Sequence, residues 1–234
     1  MNILAVGAHP DDIEYYVGGT LLKYKKQGHK IFIALTTSGN TGSNVMTDPE
    51  EIGRVREAEM LEAAKVYDAE VRFMRNDDER LLDTDETRTQ VLDALRWANP
   101  DVIFTHSPTD ESPDHAMTSK LVRSMILSMP GRNQRSNLPP VTKRPSLFFW
   151  DHGMGVGFDP EIYVDITDEF ETKLETLQKH ESQKAWMGEF KSILGLDMKI
   201  LAQSRGWQFG CAYAEAFRIF RLSGFISDYR VLPR

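Results

Sequence analysis

Strand and helix alternate through the first 130 residues of the chain, and that alternation admits very few folds. "NILAVGA" (2–8), "HKIFIALTTSG" (29–39), "AEVRFM" (69–74) and "NPDVIFTH" (99–106) read as four successive strands, the first an apolar run bounded by a loop-like "HPDD". Between them lie "GGTLLKYKKQG", closing at Gly28, then "PEEIGRVREAEMLEAAKVY", with acids in its first turn, and a segment over 85–98, all reading as helices. "SPDHAMTSKLVRSMIL" opens another helix, "RPSLFFWD" and "EIYVDIT" are later strands, and "DEFETKLETLQKHESQKAW" and "MKILAQSRGWQFG" are helical stretches expected to pack back onto the sheet. Apolar strands spaced by amphipathic helices form a parallel sheet covered on both faces, because each strand must hide both of its sides. The predicted architecture is α/β, a Rossmann-like, mostly parallel sheet flanked by helices. It is one domain over 1–234, a βα core over 1–130 with substrate-side strands and helices over 131–234 as a C-terminal elaboration. In such sheets ligands gather beyond the carboxyl ends of the strands.

Composition narrows the function. A net charge of -7 lacks the excess of Lys and Arg that phosphate backbones require, which argues against a nucleic-acid partner. The opening "MNILAVGAHPDD" has no basic, apolar leader, and no run reaches the roughly eighteen apolar residues of a spanning helix. The expectation is a cytoplasmic protein with no membrane partner. Cys211 is the only cysteine, so a disulfide framework and a thiolate zinc cluster are both excluded, and any metal must sit on nitrogen and oxygen.

The stretch after the first strand, "AHPDDIEYYVGG", places acids where a nucleotide-binding α/β protein puts glycines to receive phosphate. Asp11 and Asp12 would repel an anion; with His9 they suit a cation. His9 and Asp12 supply one nitrogen and one carboxylate, as zinc accepts, and neighbouring Asp11 is a candidate general base facing water. The alternative is that an aspartate caps the following helix. A second cluster, "THSPTDESPDHAMTSKLV", follows the fourth strand at the same sheet edge. There His115 can complete a His, Asp, His set, while Ser112, Pro113 and Asp114 equally make a sound helix start with Ser112 as N-cap. His106 is either a further ligand or a buried strand histidine satisfied by backbone. Phe148, Phe149 and Trp150 read mainly as sheet core, and the "SGNTGSN" loop as one that lines a site.

"AHPDDIE" followed by "GGTLLK", and "PDH" at 113–115, resemble the PIG-L/LmbE-like zinc-dependent N-deacetylases of N-acetylglucosamine-type substrates, with weaker matches at "REAEMLEAA", "VDI", "HESQ" (180–183) and "EAF" (215–217). The resemblance implies a Zn2+ held by His9, Asp12 and His115, Asp11 as base and Asp114 as a supporting acid of the catalytic group. It also implies Arg56 and Glu59 near the site, and a homo-oligomer. Members commonly read "HPDH", where the first histidine steadies the oxyanion or protonates the leaving amine; this chain has Ser112 there. His152, His106, His180 or Arg144 could take that role, or Asp11 could handle both proton transfers. Arg56, Arg144, His152 and Ser112 are the expected substrate-binding residues. The implied function is zinc-dependent removal of an acetyl group from a small acetylated amino sugar. The alternatives are a metal-dependent hydrolase of another amide or ester, and a non-catalytic sugar-binding relative.

Overall fold

The computed structural model of the chain describes residues 1–184, 195–223 and 225–233. A seven-stranded sheet runs in the order β3-β2-β1-β4-β5-β7-β6. Its strands are β1 (Asn2–Gly7), β2 (Lys30–Thr37), β3 (Ala69–Asn76), β4 (Val102–Thr105), β5 (Ser146–Trp150), β6 (Ile162–Asp165) and β7 (Ala214–Ile219). The first five are mutually parallel, and β7 lies antiparallel to both β5 and β6. The helices are α1 (Asp12–Tyr16), α2 (Gly18–Lys26), α3 (Pro49–Tyr67), α4 (Asp85–Ala98), α5 (Pro113–Met125), α6 (Phe170–Leu177) and α7 (Leu196–Phe209).

Alternation along the strands divides the core between two faces. Ile3, Ala5, Phe104, Phe148, Trp150 and Phe217 pack beneath α1, α2, α3, α6 and α7; Leu4, Val6, Ile103, Leu147 and Phe149 pack beneath α4 and α5. All three aromatics of "FFW" are therefore core. Burying a side chain of this size contributes about 1.5–3 kcal/mol, and it is this two-sided burial that makes the strands read as unbroken apolar runs.

Two expectations are corrected by tertiary contacts. The helical stretch over 168–186 is broken: α6 stops at Leu177, His180 is non-helical, and residues 185 and 186 lie outside the described residues. The break follows from partners elsewhere. His180 pairs with Glu14, Ser182 with Glu59 and Gln183 with Gly42, contacts on three different elements that one straight helix could not serve. Strand β7, which the pattern did not announce, enters the sheet because its Glu215 is needed inside. Its carboxylate accepts the free N–H groups of Gly19 and Thr20 at the start of α2, each at 2.8 Å, and the Lys173 ammonium at 2.6 Å. Gly19 itself has no room for a side chain, since a Cβ would fall 2.7 Å from Ile166 Cγ2. "GGT" and "EAF" are thus two halves of one buried junction.

The strand order reverses between β1 and β4, the switch point at which the following loops diverge and leave a crevice. His9, Asp11 and Asp12 follow β1, Gly39 to Gly42 follow β2, Asp78 follows β3, His106 to His115 follow β4 and His152 follows β5, so one sheet edge gathers them all.

Candidate metal centre and active-site cleft

From Gly7 the chain turns sharply into α1, and Asp11 takes φ 113°, ψ -25°. This left-handed conformation is costly for a residue with a Cβ and concentrates at functional turns. Asp11 occupies the N-cap position, yet its side chain makes no cap. Its Oδ2 instead lies 3.2 Å from Arg56 Nη2, whereas Asp12 faces the other way. Asp12 Oδ2 accepts the N–H groups of Ala8 (2.9 Å) and His9 (2.7 Å), leaving Oδ1 3.4 Å from His115 Nε2.

His9 Nδ1 and His115 Nε2 approach to 3.2 Å, and the candidate ligand atoms of His9, Asp12 and His115 all lie within 4.8 Å of one another. The outer nitrogen of each ring faces a carboxylate. His9 Nε2 lies 2.9 Å from Asp78 Oδ1 and 3.5 Å from Asp114 Oδ2. His115 Nδ1 lies 3.1 Å from Asp110 Oδ1, an ionic contact not aligned as a hydrogen bond. Carboxylates behind two convergent imidazoles are the arrangement that orients histidines toward a metal. Burial opposes protonation of both rings, but for His9 the carboxylates of Asp114, Asp12 and Asp78 outweigh it, and His115 is raised to about 9, chiefly by Asp12 and Asp110.

His106 is not a free ligand. Trp150 Nε1, which can only donate, reaches His106 Nδ1 at 3.1 Å, so the ring hydrogen is on Nε2 and is given to Asp12 Oδ2 at 3.0 Å. Burial and the neighbouring His115 push His106 down to about 4 and keep it neutral. It is a buried histidine, as one sequence reading had it, but its partners are an indole and a carboxylate.

The cleft beside this centre, about 490 Å³, is lined by Asp11, Arg56, Thr41, Asp78, Glu79 and Ser112 among others. Burial raises the Asp11 carboxyl while Arg56 opposes it. Arg56 is buried: Nη1 donates to Gly39 O (2.9 Å) and Nη2 to Pro10 O (2.6 Å) as well as to Asp11. A Cβ at Gly39 or Gly42 would come within 2.4 Å of Arg56 Nη1, so the glycines of "SGNTGSN" let the loop close over the guanidinium.

The other expected site residues divide. Ser112 is at the N-cap of α5 but makes no side-chain cap; it lines the cleft. Asp114 accepts Glu79 N (2.6 Å) and Leu81 N (3.2 Å), tying the loop after β3 to His9. His152 is buried outside the cleft wall, its Nδ1 2.8 Å from Val156 O and its Nε2 3.4 Å from Thr109 Oγ1. Arg144 is not brought to the site: it is exposed just before β5, at the amino edge of the sheet, opposite the cleft. His180 is fully buried against Glu14 at 3.1 Å. Asp78 and Asp110 escaped the sequence reading. Their signal was positional, since "NDDER" and "HSPTDES" each follow a parallel strand directly.

Fold and geometry together define an α/β protein with a two-histidine, one-carboxylate centre at the switch point of its sheet. Residues 4–126 match the family PIG-L, GlcNAc-PI de-N-acetylase, and the chain belongs to that family. Diacetylchitobiose deacetylase of Thermococcus kodakarensis is 26% identical over 93% of this chain and 82% of its own length. A probable N-acetyl-alpha-D-glucosaminyl L-malate deacetylase 2 of Bacillus cereus is 28% identical over 80% of this chain and 86% of its own. Among solved structures, N,N'-diacetylchitobiose deacetylase from Pyrococcus horikoshii superposes with a TM-score of 0.81 at 24% identity, covering 93% of this chain and 83% of that one. GalB, the 4-carboxy-2-hydroxymuconate hydratase of Pseudomonas putida, shares the fold with a TM-score of 0.80 at 19% identity, covering 95% and 97%. No helix among the described residues is long and apolar enough to cross a membrane.

Proposed function

We propose that this chain is a zinc-dependent N-deacetylase of acetylated amino sugars, with His9, Asp12 and His115 as ligands and Asp11 as the base. The observation that carries the reading is the convergence of three borderline donors, with no thiolate among them, whose histidines are each backed by a carboxylate. Such a set suits zinc and leaves coordination space open for chemistry. When bound, the ion supplies Lewis acidity, polarising the acetamide carbonyl and making water easier to deprotonate.

The residues of the chain do the rest. Asp11, held by Arg56 at the mouth of the cleft, takes a proton as water attacks the acetyl carbon. The C–N bond then breaks and the same proton passes to the departing nitrogen, giving acetate and a free amine. This reading assigns both proton transfers to Asp11. Of the other candidates, His106 is held neutral beneath Asp12, His180 is sealed against Glu14, His152 is turned to Val156 and Thr109, and Arg144 lies at the far edge. Ser112 supplies a neutral hydroxyl to the cleft.

The test is acetate release from N-acetylglucosamine-type compounds by zinc-loaded protein, by chelated protein and by His115→Ala. Release that needs zinc and disappears in the variant supports the reading. Full zinc occupancy with no acetate from any amino sugar would move another acyl substrate or a binding role to the front. An Asp11→Asn variant that keeps its zinc and turns over normally would remove Asp11 from the base role.

A further inference from the structure

The charge lining the cleft restricts which amino sugar can enter. Among the described residues its walls carry Asp11, Asp78, Glu79 and Asp114, with Asp12 beside them among the convergent ligand groups and Asp110 behind His115. Besides His9, a neutral imidazole whenever it holds a metal ion, one basic side chain among the described residues lines it, Arg56, and that guanidinium is already committed. Nη1 serves Gly39 O, Nη2 serves Pro10 O and Asp11, and Nε is sealed from solvent. A divalent ion at the centre adds two positive charges, and the acids still outnumber the cations. The remaining wall groups suit hydroxyls: Gln183, Thr41 and Ser112, whose Oγ makes no hydrogen bond among the described residues.

Resting on the deacetylase reading above, we propose that the substrate is an uncharged or cationic acetylated amino sugar, such as a short chitooligosaccharide, and that conjugates carrying a carboxylate or phosphate beside the acetamido ring are rejected. A unit anion about 8 Å from one wall acid loses roughly two- to fivefold in affinity at the high dielectric of an open cleft. Several acids acting together, with no free cation beside them among the described residues, compound this to about 10- to 100-fold. A free amine on a neighbouring sugar is favoured by the same field. Glu79 is the exposed member of the group, in a left-handed turn (φ 60°) whose N–H is fixed by Asp114, so its carboxylate can be altered while the turn keeps its anchor.

The experiment compares kcat/KM of the zinc-loaded protein for N-acetylglucosamine and N,N'-diacetylchitobiose with that for N-acetylglucosaminyl malate and N-acetylglucosamine 1-phosphate, at low and moderate salt. The neutral pair is expected to lead by about 10- to 100-fold, with the gap narrowing as salt screens the walls. Glu79→Gln and Glu79→Lys are expected to improve the anionic substrates selectively, through KM and in that order. Anionic substrates that match or beat the neutral pair, or a gap indifferent to both salt and residue 79, overturn the inference and leave the deacetylase reading standing. No acetate from any of the four removes that reading and this inference with it.

Discussion

Asp11 holds φ 113° with a side chain attached, and this allows fold strain and function to be separated at one residue. A non-glycine residue in such a conformation costs about 1–3 kcal/mol, and the surroundings hold it there, Arg56 gripping both Pro10 O and Asp11 Oδ2. Asp11→Gly and Asp11→Ala both delete the carboxylate and its contact with Arg56, so that loss cancels between them. They differ in the backbone alone. Alanine retains the strain, while glycine removes it and gives back about 0.5–1 kcal/mol through its freer unfolded chain. The usual order, in which alanine is the more stable, is therefore reversed here by about 1–2 kcal/mol. At about 2–4 °C per kcal/mol for a chain of this length, Asp11→Gly should melt roughly 2–8 °C above Asp11→Ala. Chelated samples followed by calorimetry keep metal binding out of the comparison. Both variants should bind zinc and lose about 10²- to 10⁴-fold in turnover if Asp11 is the base. An alanine variant as stable as the glycine variant refutes the claim that Asp11 is strained, and normal turnover in either refutes its catalytic role.

Asp78→Asn removes the carboxylate that orients His9, so zinc affinity measured by chelator competition should fall about 10- to 100-fold with the fold intact. Lys173→Met leaves Glu215 buried without its cation, and urea denaturation should show a loss of about 3–5 kcal/mol. His115 is raised in the fold to about 9 from an ordinary 6.5. Its contribution to the stability of chelated protein is therefore complete below pH 6.5 and lost as pH rises through about 9. The chelated protein should thus melt lower at about pH 9.5 than at neutrality, a trend that zinc loading suppresses, and zinc uptake near neutral pH should release protons detectable by calorimetry in buffers of different ionisation enthalpy.

Local physics decided much that was legible beforehand. The buried strands β1, β2 and β4 are apolar runs because both sheet faces are covered, while β3, at the sheet edge, carries Glu70, Arg72 and Arg75 among its apolar residues; α3 begins at Pro49 and α4 ends at Ala98, where the proline and the helical spacing place those limits. Acids directly after β1 pointed to a cation rather than a phosphate, and "PDH" after β4 fell on the same edge because parallel strands bring their carboxyl ends together. Long-range contacts decided the rest. β7 contains Ala214, Glu215 and Ala216, weak strand formers, and lies between β5 and β6 because Glu215 must meet Lys173 and the start of α2. The break after α6, the neutral state of His106 beneath Trp150, and the approach of Asp78 to His9 depend on partners separated by tens of residues or more. Arg144 was drawn to the site by its charge and placed at the opposite edge by the direction of β5. Sequence thus determined which residue types reach the catalytic edge, since periodicity and strand direction are local properties. Which of them face the centre, and which are held neutral, buried or turned away, was decided only by packing in three dimensions, because a hydrogen-bond partner, unlike a helical period, has no fixed distance along the chain.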